Sequence, residues 1–169
     1  VHSGHGTSGQ SAGLEIGMTV RATQFAALVI TALALVPSAA HLAALSNKIG
    51  LPQAEYFTVQ GIYRGWAILG LLWPAAIVLN GVLAYLARAQ HGPFWLAIGA
   101  ASCFILMLAI FLLWTLPANQ ATGNWTSVPG NWDTLRRQWE YSHAANAGIA
   151  FIALCLTALS VLSWRPNQP

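Results

Sequence analysis

Charge is scarce in this chain. Only 7% of its 169 residues are Asp, Glu, Lys or Arg, against 56% that are hydrophobic. A soluble domain carries roughly 25% charged residues, so there are too few here to cover a water-facing surface. The net charge of +3 rests on seven Lys and Arg, and no basic run is dense enough for nucleic-acid binding. Cysteine is nearly absent as well. Cys103 and Cys155 lie inside apolar runs without CxxC or Cys/His spacing, which speaks against a thiolate metal site. Period-two alternation, the mark of a membrane barrel, is missing. So are a midplane charge and an inverted repeat, which a transporter would show.

What the chain does have is four long apolar runs: Thr23 to Leu45, Gly61 to Ala87, Pro93 to Leu116 and Ala144 to Trp164. Each has the roughly 20 residues that a helix needs to cross a hydrocarbon core of about 30 Å. Lipid cannot satisfy open strand edges, so the runs must be helical. The expected fold class is all-α, an integral membrane four-helix bundle. Its helices are expected near 22–46, 60–88, 93–117 and 132–164, within one domain over 18–169. Residues 1–17, polar and rich in Gly and Ser, read as a disordered tail or as residues foreign to the native chain, with Met18 as the start. Pro37 and Pro74 should kink their helices. Trp66, Trp95, Trp114 and Trp164 lie near run ends, where indoles settle at headgroup level.

The link between the second and third helices is short, Arg88 to Gly92, and the other two are long. Four crossings therefore put two long connections on one face, the loop face, opposite both termini. The counts of Lys and Arg near the helix ends leave orientation weakly set. The expectation is a bacterial inner membrane with cytoplasmic termini.

Candidate chemistry gathers at the loop face. Asn131 is a good N-cap and Asp133 suits the first helical turn, so the last helix should begin near Trp132. Along it, Trp132, Arg136, Trp139, His143 and Asn146 recur at spacings of four and three, on one stripe. A polar and aromatic stripe at a membrane entrance faces the bundle interior or a wet pocket. Arg136 and Glu140 can pair at i, i+4. His41 and Ser38 lie near the same end of the first helix. Tyr56, Gln60 and Arg64, or Gln60 and Tyr63, share a face at the start of the second. Asn119 follows Pro117. Each has a plainer reading: His41 as an interfacial histidine, Arg64 as a snorkelling anchor, Asn80 as an interhelical hydrogen bond. Asn124-Trp125-Thr126 fits a glycosylation acceptor in a secretory setting.

The elements Pro117-Ala118-Asn119, Leu135-Arg136-Arg137-Gln138-Trp139-Glu140 and His143 resemble a small four-helix membrane family. That family is classed as a domain of unknown function and includes the fungal anthrone oxygenases. The resemblance covers about Met18 to Trp164. It implies oxygenase-type chemistry on a hydrophobic aromatic substrate, with no flavin, haem or metal motif evident. One position departs: where members often carry an arginine, this chain has Asn146.

Three functions stay open. The first is an oxygenase or related oxidoreductase on a lipophilic phenol or quinone-like molecule. There His143, or second His41, acts as base and Arg136 or Arg64 holds the oxyanion. Trp139, Tyr56, Gln60, Asn119, Asn146 and Trp132 then bind substrate. The second is a metal or haem protein ligated by His41 and His143 with Glu140 or Glu55; the single Glu-x-x-His falls short of a di-iron set. The third is a lipid-binding or accessory subunit, its small-residue runs suiting a bundle or homo-oligomer. The expected partners are the bilayer and a hydrophobic small molecule.

Overall fold

A computed structural model describes residues 6–166, with side chains described at 15 and from 17 onward. The elements are α1 (Gly6–Lys48), α2 (Gln53–Gln60), two 3-10 segments (Gly61–Tyr63 and Trp66–Leu71), α3 (Leu72–Leu86), α4 (His91–Ile110), a π segment (Phe111–Thr115), α5 (Leu116–Ala121) and α6 (Trp132–Ser163). Four stretches are long and apolar enough to cross a membrane: Gly17–Lys48, Trp66–Leu86, His91–Ala121 and Trp132–Ser163. The fold is the all-α membrane bundle expected, with no strand among the described residues.

The long helices form a ring in which α1 packs on α3 and α6, and α4 on the same two. Both ends are tied by hydrogen bonds. At the termini end, Gln90 Nε2 donates to the Arg165 carbonyl at 2.6 Å and the Arg165 amide donates back to Gln90 Oε1 at 2.9 Å. At the other end, Arg136 donates to the Leu51 carbonyl at 2.7 Å. That bond joins the first long connection to the start of α6, so both long connections do lie on one face.

The interior is built from small side chains. Ala27, Ala34, Ala76, Ala97, Ala100, Ala150 and Ala153 are fully buried, while Phe25, Ile68, Leu71 and Leu162 point outward. In lipid the apolar exterior costs nothing, and small residues let backbones approach closely. A Cβ on Gly99 would stand 3.2 Å from Leu156, a measure of how near α4 and α6 run. On α1 the buried positions Gln24, Ala27, Thr31, Ala34, Ser38, His41 and Lys48 recur every three or four residues, or two turns, in a single inward stripe.

Asn80 forms the interhelical contact its mid-span position suggested. Its Nδ2 donates to Thr31 Oγ1 at 3.2 Å and to the Ala76 carbonyl at 2.9 Å, and Thr157 Oγ1 donates to its Oδ1 at 2.8 Å. All three side chains are fully buried, so α1, α3 and α6 are pinned at one level. Asn80→Leu is expected to lower stability by about 0.5–2 kcal/mol, the span measured for such bonds in membranes. Thr157 still bonds its own helix at Ala153, which limits the loss. Unfolding in mixed detergent micelles checks this; an unmoved midpoint would show the contact to be idle.

Several expectations need correction. The polar tail expected over 1–17 is helical from Gly6, since no proline interrupts it and extending an existing helix is cheap; residues 1–5 lie outside the described residues. The second span starts at Trp66 rather than near 60. The helical path breaks at Arg64, which is extended, and at Gly65, with φ +87°. Only glycine takes that left-handed conformation freely. Pro74 sits in the first turn of α3, where a missing N–H is tolerated, and so does not kink a helix interior. Pro117, by contrast, follows the π segment: lacking its own N–H, it disturbs the preceding turn, which widens. Asn131 does occupy the N-cap, but its side chain makes no capping bond.

Candidate functional site

At the loop face, α1 and α6 bring two imidazoles together. His41 and His143 stack with ring centroids 4.1 Å apart and 23° between planes. Trp139, one turn before His143, sets its edge against both, 4.9 Å from His41 and 4.2 Å from His143. Tyr63 covers the other side of His41 at 4.2 Å, and Trp66 meets it at 5.7 Å. His41 is buried, His143 half-buried. Nδ1 of His41 is buried without a hydrogen-bond partner.

A buried polar network adjoins this aromatic box. Lys48 Nζ lies 3.0 Å from Glu140 Oε1, with both side chains almost fully removed from solvent. Tyr56 donates its hydroxyl to the same carboxylate at 3.0 Å, and Gln60 bonds the Tyr56 oxygen in turn. Tyr56 lies outside the spanning segments. Burial first, then the neighbouring Glu140 carboxylate, push its phenol far above the ordinary range, so it stays a proton donor. The Lys48 ammonium also stands over two rings of the box, 4.6 Å from the Tyr63 centroid and 5.1 Å from that of Trp139. Cation and imidazoles thus share the same aromatic walls.

Asn119 holds those walls in place. Its Oδ1 accepts Trp139 Nε1 at 2.8 Å and Trp125 Nε1 at 3.2 Å. Trp125 enters from the loop with φ +65°, after Asn124 at +56° and Gly123 at +55°. Left-handed backbone is a true outlier for a bulky side chain. Here the Thr122 hydroxyl, which accepts the Trp125 amide at 3.1 Å, and packing on Tyr56 at 5.3 Å hold it there. Strain of this kind concentrates at working sites.

Placement of the expected residues is uneven. His41, His143 and Trp139 meet directly. Tyr56 and Gln60 join through Glu140, and Asn119 through Trp139. Trp132 lies at the rim, 6.3 Å from Tyr56 between centroids. Arg136 is a clamp rather than an open cation: one terminal nitrogen bonds Leu51, the other Asp133, and its guanidinium lies 4.7 Å from the Trp132 ring centre. It does not pair with Glu140. Arg64 is exposed and outside the cluster, because the break at Gly65 removes it from the phase of α2. Asn146 is fully buried against α4, donating weakly to the Met107 carbonyl at 3.4 Å.

No family model matches the chain, and no curated protein or solved structure matches it either.

Lys48 and Trp125 were not among the residues picked from the sequence. For Lys48 a signal existed: it lies two turns beyond His41, hence on the same face of α1. Trp125 had only its oddity as a tryptophan in a polar loop. As for a metal, no three His, Cys, Asp or Glu side chains converge among the described residues. Glu140 is engaged by Lys48 and Tyr56, so the donors do not fit a site with three protein ligands.

Proposed function

We propose that the chain is a membrane-embedded oxidoreductase of oxygenase type, acting on a lipophilic aromatic or quinone-like molecule with the His41–His143 pair as proton acceptor. The observation that carries this reading is the unpartnered Nδ1 of His41, buried among aromatic rings at the mouth of a membrane bundle. Buried polar atoms nearly always have partners. An imidazole nitrogen without one is placed to receive a proton from a ligand.

The chemistry then runs in balanced steps. A C–H bond activated by an adjacent aryl ketone breaks, its proton goes to imidazole, and its electron pair remains on the substrate. Dioxygen accepts that pair to give a peroxide. The imidazolium returns the proton, and loss of water leaves a carbonyl. The flat walls of Trp139 and Tyr63 suit a ring system.

A second reading has its own support. An open groove on the outer face is lined by Trp114, Gln138, Tyr141 and Ser142, and the rings around the histidines touch one another. This favours a non-catalytic lipid-binding or accessory subunit.

Oxygen uptake with anthrone, on protein in lipid nanodiscs, separates the two. Catalysis predicts uptake by the wild type and a loss of about 10²–10⁴-fold in His143→Ala and His41→Ala, the usual range for removing a general base. No uptake by the wild type, or equal uptake by both variants, would leave the accessory reading.

A further inference from the structure

Eight buried side-chain polar atoms lack a hydrogen-bond partner among the described residues. Gln24 Nε2, Trp73 Nε1, Arg136 Nε and Asn146 Oδ1 are distributed along the bundle, whereas His41 Nδ1 in the aromatic box and Lys48 Nζ, Glu140 Oε2 and Gln60 Oε1 in the network beside it form one group. Such atoms are rare, and a group of them in one place marks a polar partner that completes them. Their types are informative. Lys48 supplies donors: it carries three N–H bonds, and its contact with Glu140 at 3.0 Å engages at most one of them. Glu140 Oε2 and Gln60 Oε1 can only accept. His41 Nδ1 is open to a proton. One oxygen that accepts from Lys48 while giving its proton to His41 answers those two, and the two acceptors, Glu140 Oε2 and Gln60 Oε1, call for water donors beside it.

We infer that Lys48 Nζ is the oxyanion-binding group of the site, and that the ligand is a lipophilic phenol or enol held there as its anion. This rests on the reading of the histidine pair as proton acceptor. On binding, the ligand O–H bond breaks and an N–H bond forms on imidazole. The electron pair stays on the oxygen beside the ammonium, so the net charge of the complex does not change. Arginine, the residue type expected for this task, is not available: Arg136 is clamped and Arg64 lies outside. Lys48 reaches the imidazoles through the Tyr63 and Trp139 rings that it shares with them. Glu140 and Tyr56 are positioning residues that hold the ammonium in place.

The test uses 2-naphthol, whose anion absorbs at longer wavelength than the neutral form. It is titrated into the full chain in nanodiscs, at a pH below the probe's own pKa, against empty nanodiscs. The expected result is a naphtholate band that saturates with protein. That band should fall at least tenfold in Lys48→Met/Glu140→Gln, where both charges are removed together so that neither is left alone. It should persist in Glu140→Gln. Thermal unfolding of each variant confirms that it is folded. Naphthol bound in neutral form by the wild type overturns the inference, as does no binding, which would mean that water alone completes the network. A full band in the folded double variant overturns it too. A naphtholate band without oxygen uptake from anthrone upholds Lys48 and sinks the oxidoreductase; uptake with neutral bound naphthol does the reverse.

Discussion

Glu140→Ala is expected to destabilise the protein by about 3–5 kcal/mol, the usual cost of breaking a buried ion pair from one side. The carboxylate is fully buried and serves two partners, the Lys48 ammonium and the Tyr56 hydroxyl. Removing it leaves a cation without a counter-charge in a place water reaches poorly, and a phenol donor with no acceptor. Glu140→Gln keeps an oxygen for Tyr56 and should lose less. Lys48→Met/Glu140→Gln should regain most of the loss, because replacing both members by neutral groups of similar shape avoids the lone charge. Unfolding midpoints in mixed micelles measure all three. A double variant no more stable than Glu140→Gln would mean that the ion pair does not act as a unit.

Trp139→Ala should cost a comparable amount, about 3–5 kcal/mol, as large-to-small changes at aromatic core positions do. Trp139 is 4% exposed. It touches both imidazoles, Tyr63 and Trp125, and donates to Asn119. The truncation opens a cavity and frees one side of each neighbour. Trp139→Phe isolates the polar part. It retains a ring but loses the bond to Asn119, worth about 0.5–1.5 kcal/mol. If the alanine variant unfolds no earlier than the phenylalanine one, the indole is not the keystone that its contacts suggest.

The bundle was readable in the sequence because lipid leaves a backbone so few choices: a long apolar run with no charge must become a helix. Spacing also worked wherever one helix stayed regular. Along α6 it placed Trp139 and His143 together, and on α2 it placed Tyr56 with Gln60. It failed where the backbone changed hand. Arg64 was put on the face of Tyr56 by counting residues, and counting cannot register a left-handed glycine just beyond it. Partner choice was equally hidden. Arg136 and Glu140 are correctly spaced to pair on α6, yet Arg136 turns to Asp133 and Leu51. Glu140 turns instead to a lysine from the far end of α1. A loop or a second helix decides such contests, and one-dimensional spacing holds no record of either. Trp125 shows the same limit, since its place depends on three successive backbone angles of unusual sign.

The break at Gly65 also sets a waterline. The second span, Trp66–Leu86, has 21 residues; six in 3-10 form and fifteen in α form extend about 35 Å, little more than a hydrocarbon core of roughly 30 Å. The other three spans have 31 or 32 residues and must overshoot. Trp66, the first residue of the short span, touches His41, so the imidazoles sit level with the loop-face end of that span. The backbone of Lys48 lies two turns, roughly 10 Å, farther along α1, and its ammonium reaches back to the Tyr63 and Trp139 rings that flank His41. The imidazoles are thus nearer the loop side of the membrane than the far side. Acidity on the loop side of the membrane, and not on the far side, would govern what the imidazoles do.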